Sequence, residues 1–196
     1  MRHIIYVDGS VGVGKSTFIK VLEDTFKSVL EITSPVGQSV CRPNVAVLPE
    51  PLHRNWTPAI VGTIGYDALL KFLLSRKKAA IEAWSAGIAS DGMQELEANV
   101  LIVERSMLGD RRVRRDCEEE FADINVNDMG EHPHYVFIKN FEIKNDEQDR
   151  LNVLYNSLEV SKSGRTSASV FRIQRPRNVS NYHIEAAAIV NKELNL

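Results

Sequence analysis

Near the start of the chain lies the stretch that decides its fold, Gly9-Ser10-Val11-Gly12-Val13-Gly14-Lys15-Ser16. It fits the phosphate-binding loop pattern, in which two glycines with four residues between them precede Lys and a hydroxyl residue. Glycines permit a tight turn whose backbone N–H groups point into one concavity of the size of an anion. Lys15 can then reach the β- and γ-phosphates of a nucleotide, and the Ser16 hydroxyl can hold Mg²⁺. The stretch from Gly9 to Thr17 is therefore predicted to bind a nucleotide.

The flanks of this loop have the context that the motif requires. His3–Val7 is a short apolar run typical of a buried strand. From Thr17 onward, Phe18, Leu22 and Phe26 recur at helical spacing, with further apolar residues beside them. The helix would direct the positive end of its dipole towards the bound phosphate. The order of strand, loop and helix predicts an α/β domain.

The length, charge and cysteine content of the chain limit the class of protein to which it can belong. With 196 residues it suits a single domain, residues 1–196, with a full hydrophobic core. Its 24 Lys and Arg against 26 Asp and Glu give no basic excess, so nucleic acid is not an expected partner. Cys41 and Cys117 lie far apart and form no metal-ligand spacing, and we expect neither a signal peptide nor a membrane span. We expect a reduced, cytoplasmic protein with small ligands and no membrane contact.

Two further apolar runs each precede an acidic residue. Val45–Leu48 is followed closely by Glu50, and the four apolar residues Val100–Val103 by Glu104. Ligands of open α/β sheets bind beyond the carboxyl ends of parallel strands, so both acids would lie beside the phosphate loop. Glu104 would help Ser16 hold Mg²⁺. For Glu50 two interpretations remain open at this point, a catalytic base or a solvated loop residue.

The remaining pattern predicts further elements. A helix is expected over 66–84, with its Arg76, Lys77 and Lys78 on a solvated surface, and a last helix from about Ser180 to Leu194. Tyr135–Ile138 could be a strand or a helix, and Asn152–Val160 is β-prone. The charged run after Arg111 is expected to be an exposed helix. The predicted fold is a three-layer α/β/α domain of the P-loop NTPase type, with a parallel sheet of four to five strands.

Three motifs together resemble one family. They are Asp8–Thr17, Glu50-Pro51 with Trp56, and Glu104-Arg105-Ser106. In this order and at these separations they resemble the deoxynucleoside kinases, including the viral thymidine kinase relatives. Two further segments are similar to that family's third helix and to its arginine-bearing lid, namely Phe72–Arg76 and the residues Arg172, Arg175 and Arg177.

The resemblance implies an activity and roles for single residues. A member of this family uses ATP and Mg²⁺ to phosphorylate a nucleoside and forms a homodimer, in the host cytoplasm if the source is viral. Glu50 would take the proton of the sugar 5′-hydroxyl, and Arg105 would lie near the phosphates and orient Glu50. Trp56 would form a wall of the nucleoside pocket by packing against the base, and Glu104 would help to bind Mg²⁺. The lid arginines would close over the triphosphate.

The chain departs from the family pattern in its acceptor site. Leu69 occupies the place of the usual base-reading Gln, and Asp67 is the nearest polar residue that could substitute for it. The Glu-Pro to Trp spacing is one residue longer than usual, and the family's final strand is not evident.

Two rival functions therefore stay open beside the nucleoside kinase. One is a thymidylate or other nucleoside-monophosphate kinase, whose acceptor phosphate could be clamped by Arg42, Arg54 or Arg76. The other is a nucleotide-binding protein whose acceptor site has degenerated.

Overall fold

Five strands and five helices alternate along the described part of the chain. The computed structural model describes residues 3–32, 45–50, 62, 65–86, 99–113, 134–139, 145–160, 169–174 and 180–194. In chain order the elements are β1 (His3–Gly9), α1 (Lys15–Ile32), β2 (Val45–Leu48), α2 (Tyr66–Ala86), β3 (Val100–Glu104), α3 (Met107–Val113), β4 (His134–Lys139), α4 (Asp146–Val160), β5 (Ser169–Gln174) and α5 (Ser180–Leu194).

The strands form one parallel sheet in the order β2-β3-β1-β4-β5. At the central strand, Val7 lies opposite Glu104 on β3, and Gly9 lies opposite Ile138 on β4. Because all strands run the same way, the loop after β1 and the acids after β2 and β3 meet at one edge of the sheet. This is the predicted P-loop NTPase-like three-layer fold, and it places the candidate site at that edge.

Two apolar cores cover the two faces of the sheet. On one face α1 and α5 pack against β1 and β4, with Phe18, Leu22 and Tyr182 among the buried side chains. On the other face α2, α3 and α4 pack against the same strands, with Trp84 and Tyr155 in the core. Burial on both faces explains why the central strands read as continuous apolar runs instead of alternating patterns.

Helix α2 confirms the predicted helix but corrects the prediction for one of its lysines. Leu74, Ile81 and Trp84 are buried along one stripe, and Lys77 lies on the same stripe with 4% of its surface exposed. The expectation that Lys77 is solvated was therefore wrong. Its position i+3 from Leu74 and i–4 from Ile81 turns it into the protein regardless of its charge.

Helix α4 overturns the β-prone interpretation of Asn152–Val160. The backbone N–H of Gln148 donates to the Asn145 side chain at 2.8 Å, which caps the first turn of a helix that continues to Val160. Gln148, Leu151 and Tyr155 are buried at helical spacing. Packing of this stripe against the sheet outweighs the local β-propensity of the segment.

The end of the sheet also differs from expectation. Tyr135–Ile138 belongs to strand β4, and β5 supplies a fifth strand that had not been evident from the sequence. Arg172 lies on β5, where its guanidinium donates to Asn156 Oδ1 at 2.8 Å, so its assignment to a lid was wrong. Backbone pairing with β4 fixes this residue in the sheet.

Several residues singled out from the sequence lie outside the described part of the chain. They are Arg42, Arg54, Trp56, Arg175, Arg177 and both cysteines. In the part that is described, no helix has both the length and the apolar character that a membrane crossing requires.

Candidate active site

The phosphate loop has the backbone geometry that anion binding requires. Gly12 and Gly14 have φ values of 77° and 99°, a region that side chains with a Cβ rarely enter. The Gly14 carbonyl accepts the first helical hydrogen bond of α1 from Phe18 at 3.0 Å. Because the first N–H groups of a helix have no partner within it, the start of α1 offers donors and a positive dipole end to a phosphate.

Lys15 lies inside this loop. Its ammonium donates to the carbonyl oxygens of Gly9 at 3.2 Å and Ser10 at 3.4 Å, and it lies 3.6 Å from Glu50 Oε2. Burial and the nearby Arg105 charge lower the pKa of Lys15, although the surrounding carboxylates oppose this shift. A bound phosphate would supply the further negative charge that favours the protonated form.

Ser16 and Glu104 form a second oxygen pair at the site. The Ser16 hydroxyl donates to Glu104 Oε1 at 2.8 Å, and the backbone N–H of Glu50 donates to Glu104 Oε2 at 3.4 Å. Hydroxyl and carboxylate oxygens together are ligands that Mg²⁺ prefers. The pair is thus chemically suited to hold this ion beside the phosphates.

Glu50 is buried rather than solvated, with 5% of its surface exposed. Its Oε1 accepts a hydrogen bond from Arg105 Nε at 2.7 Å, and its Oε2 faces Lys15. Burial alone would raise the pKa of Glu50, but the positive charges of Arg105, Lys15 and Lys77 together outweigh it and lower the pKa. Glu50 is thus ionised at neutral pH and can accept a proton.

Arg105 joins three parts of the site. Besides Glu50, its Nη2 contacts Glu147 Oε1 of α4 at 2.7 Å and the Gly9 carbonyl at 3.4 Å. The other terminal nitrogen, Nη1, is buried without a hydrogen-bond partner, as is the Ser10 hydroxyl in the phosphate loop. A buried donor without a partner is costly, so these two atoms fit a site that takes a polar ligand.

Behind the loop, a buried network connects β1 to the turn that carries Arg105. Asp8 accepts hydrogen bonds from the Ser106 backbone N–H at 3.0 Å, from the Ser106 hydroxyl at 2.6 Å and from the Tyr155 hydroxyl. Burial raises the pKa of Asp8, and it also raises that of Tyr155. These bonds fix the spacing between the phosphate loop and the Glu104-Arg105-Ser106 motif.

Sequence reasoning gave no role to four residues that surround this site, namely Asp8, Lys77, Asp110 and Glu147, and for some of them a signal existed. Asp8 ends a continuous apolar strand, and Lys77 interrupts an apolar helical stripe, two patterns that indicate a buried charge. Asn145 and Gln148 are spaced as a capping pair, which would have placed Glu147 in the first turn of a helix. Asp110 carries no such signal.

The predicted acceptor-site residues are only partly placed. Leu69 is buried near the start of α2, and its N–H donates to the Gly65 carbonyl at 3.1 Å. Asp67 belongs to the same helix, but its side chain is outside what the structure describes, as is Trp56. Their contact with a substrate stays a prediction.

No protein-family model matches this chain, and no curated protein does either. Among solved structures, it is similar to thymidylate kinase from Ehrlichia chaffeensis. The sequence identity is 14%, the alignment covers 99% of this chain and 98% of that chain, and the TM-score is 0.47. A likeness at this level does not bear on what the chain acts on.

Proposed function

We propose that the chain is an ATP-dependent phosphotransferase that moves the γ-phosphoryl group to the 5′-hydroxyl of a deoxynucleoside. The observation that carries this proposal is the buried Glu50 carboxylate, held between Arg105 Nε at 2.7 Å and Lys15 at 3.6 Å within the phosphate loop. A loop that only bound nucleotide would not need an ionised, oriented carboxylate beside its lysine.

The residues support an in-line transfer. Glu50 would accept the proton of the 5′-hydroxyl while that oxygen bonds to the γ-phosphorus and the bond from this phosphorus to the bridging oxygen of ADP breaks. Lys15, the loop amides and Arg105 would neutralise the charge that develops on the phosphoryl oxygens. The unpartnered Nη1 of Arg105 is a donor suited to one of these oxygens.

Ser16 and Glu104 would hold Mg²⁺ through their oxygens, which lie 2.8 Å apart. The ion, when bound, supplies positive charge to the phosphates. The proposal further includes what the family resemblance implies, a cytoplasmic homodimer in nucleotide salvage.

The first test is the release of ADP from ATP and Mg²⁺ with each deoxynucleoside and then with each deoxynucleoside monophosphate. We expect turnover with a nucleoside. Turnover with monophosphates alone would contradict the acceptor assignment and favour the rival monophosphate kinase. ATP binding without turnover of any acceptor would favour the non-catalytic binder.

Two variants assign the roles within the site. Glu50→Gln should lower kcat by about 10³-fold with little change in ATP affinity, because only proton acceptance is lost. Lys15→Ala should abolish turnover while the chain stays folded. Glu185→Gln, on the exposed face of α5, serves as the matched control and should keep wild-type turnover. Weakened ATP binding by Glu50→Gln would contradict the role of a base and assign Glu50 to the metal.

A further inference from the structure

The turn that carries Arg105 has an unfavourable backbone conformation. Arg105 has a φ of 63°, the only positive value among the described residues other than glycine. For a side chain with a Cβ this left-handed conformation is unfavourable and persists only where neighbouring groups enforce it. The N–H of Arg105 donates to the Val7 carbonyl at 2.9 Å, which holds one side of the turn.

Lys77 holds the other side. Its ammonium reaches across from α2 and donates to the carbonyl oxygens of Glu104, at 3.1 Å, and of Arg105. Its third contact is the Asp110 carboxylate of α3 at 2.8 Å. An ammonium group has three protons, and these three acceptors use all of them. Lys77 thus binds two consecutive carbonyl groups of the turn.

Stability alone does not account for this pair. Lys77 and Asp110 are buried, with side-chain exposures of 3% and 0%. A buried ion pair is often no more stabilising than apolar residues of similar size, because both charges must be removed from water. Apolar residues, however, could not bind the carbonyl groups on either side of the Arg105 α-carbon.

The fixed turn also determines how the side chain of Arg105 meets Glu50. When both carbonyls are fixed, the side chain of Arg105 leaves the backbone in one direction, which brings Nε to 2.7 Å from Glu50 Oε1. Asp110 Oδ1 also lies 3.8 Å from the same Nε and attracts its positive charge.

We propose that Lys77 and Asp110 are positioning residues, which hold the Arg105 peptide in its left-handed conformation and thereby aim the guanidinium at Glu50. Neither residue touches the substrate in this scheme. The part of the inference that concerns rates rests on the proposed function, whereas the part that concerns Arg105 geometry does not.

The test compares variants of the full chain. Lys77→Met removes the ammonium but leaves the buried Asp110 charge without its contact to Lys77, so the main variant is the double substitution Lys77→Met with Asp110→Asn, which removes both charges. Lys78→Met, on the adjacent half-buried position of α2, is the matched control. The measurements are kcat and KM, ATP affinity by calorimetry, and the crystal structure of the double variant.

We expect the double variant to fold and to bind ATP within about twofold of wild type, while its kcat falls about 100-fold. Its crystal structure should have Arg105 outside the left-handed region and its Nε separated from Glu50. Lys78→Met should match wild type in every measurement.

Three results would overturn the proposal. One is a folded double variant with wild-type kcat, and another is a crystal structure in which Arg105 keeps both its φ and its contact with Glu50. The third is a double variant that fails to fold, since this would make the pair structural. If the wild-type chain turns over no acceptor, the proposed function fails, and the crystal structure still decides the inference.

Discussion

At the scale of single residues, the backbone of Gly109 lies very close to the buried carboxylate of Asp8. Ser106 caps α3 by accepting a hydrogen bond from the Gly109 N–H at 2.8 Å, and it donates to Asp8 in the same place. A Cβ added to Gly109 would overlap Asp8 Oδ1 and would lie 2.9 Å from its Cγ. The absence of a side chain at this position therefore allows β1 and α3 to share one carboxylate.

Gly109→Ala should destabilise the protein, although the same change inside an exposed helix usually stabilises it by about 1 kcal/mol. Overlap with the Asp8 carboxylate should lower the free energy of unfolding by about 2 kcal/mol. Urea denaturation measures the difference. The control is Ser75→Ala on the exposed face of α2, which should be neutral or slightly stabilising. An increase in stability for Gly109→Ala would mean that the spacing between Asp8 and α3 is not fixed.

At the scale of elements, the first turn of α4 lies on the phosphate loop. Glu147 Oε2 accepts a hydrogen bond from the Val11 backbone N–H at 3.1 Å, and its Oε1 pairs with Arg105 Nη2 at 2.7 Å. A carboxylate of the chain thus contacts two donors that belong to the candidate phosphate site. Negative charge at this position should oppose the binding of a polyphosphate.

Glu147→Gln should increase the affinity for inorganic tripolyphosphate about tenfold, which corresponds to about 1.4 kcal/mol. The amide keeps the shape of the side chain and removes the charge that repels the anion. Calorimetric titration measures the affinity. Asp149→Asn is the matched control, because it removes an exposed charge from the same helical turn, and it should change the affinity little. Weaker binding by Glu147→Gln would mean that Glu147 organises the loop.

At the scale of the whole molecule, stability is coupled to the charges at one sheet edge. The pKa of Glu50 is lowered in the folded protein, so the unfolded chain binds a proton at this residue more readily than the folded one. The contribution of the Glu50 charge to stability is thus complete above the ordinary glutamate pKa of about 4.3. It is lost as the pH falls through the lower pKa of the folded state.

The difference in unfolding free energy between wild type and Glu50→Gln should therefore be largest near neutral pH and should shrink towards about pH 3. Urea denaturation of both proteins over this range measures it. Glu23→Gln, in an exposed pair with Lys27, is the control and should depend little on pH. A difference that stays constant with pH would contradict the direction of the Glu50 shift.

Much of the fold and part of the candidate site were predictable from local sequence. The loop from Gly9 to Ser16, the strands before Glu50 and Glu104, and the helix that starts near Ser180 all appear where their patterns place them. Helix α4 and strand β5 were not predicted, because packing on the sheet decides both.

By itself, the sequence determined the phosphate loop with its flanking strand and helix and the apolar strands that lead to Glu50 and Glu104, since glycine spacing and apolar periodicity act over a few residues. Only the tertiary structure decided which charges are buried together. Arg105 meets Glu50 across 55 positions of sequence, a contact that only the family resemblance implied. Arg105 also meets Glu147 across 42 positions, and Lys77 meets Asp110 across 33. No local pattern encodes such pairs, because the sheet brings their elements together and burial then makes each charge depend on its partner.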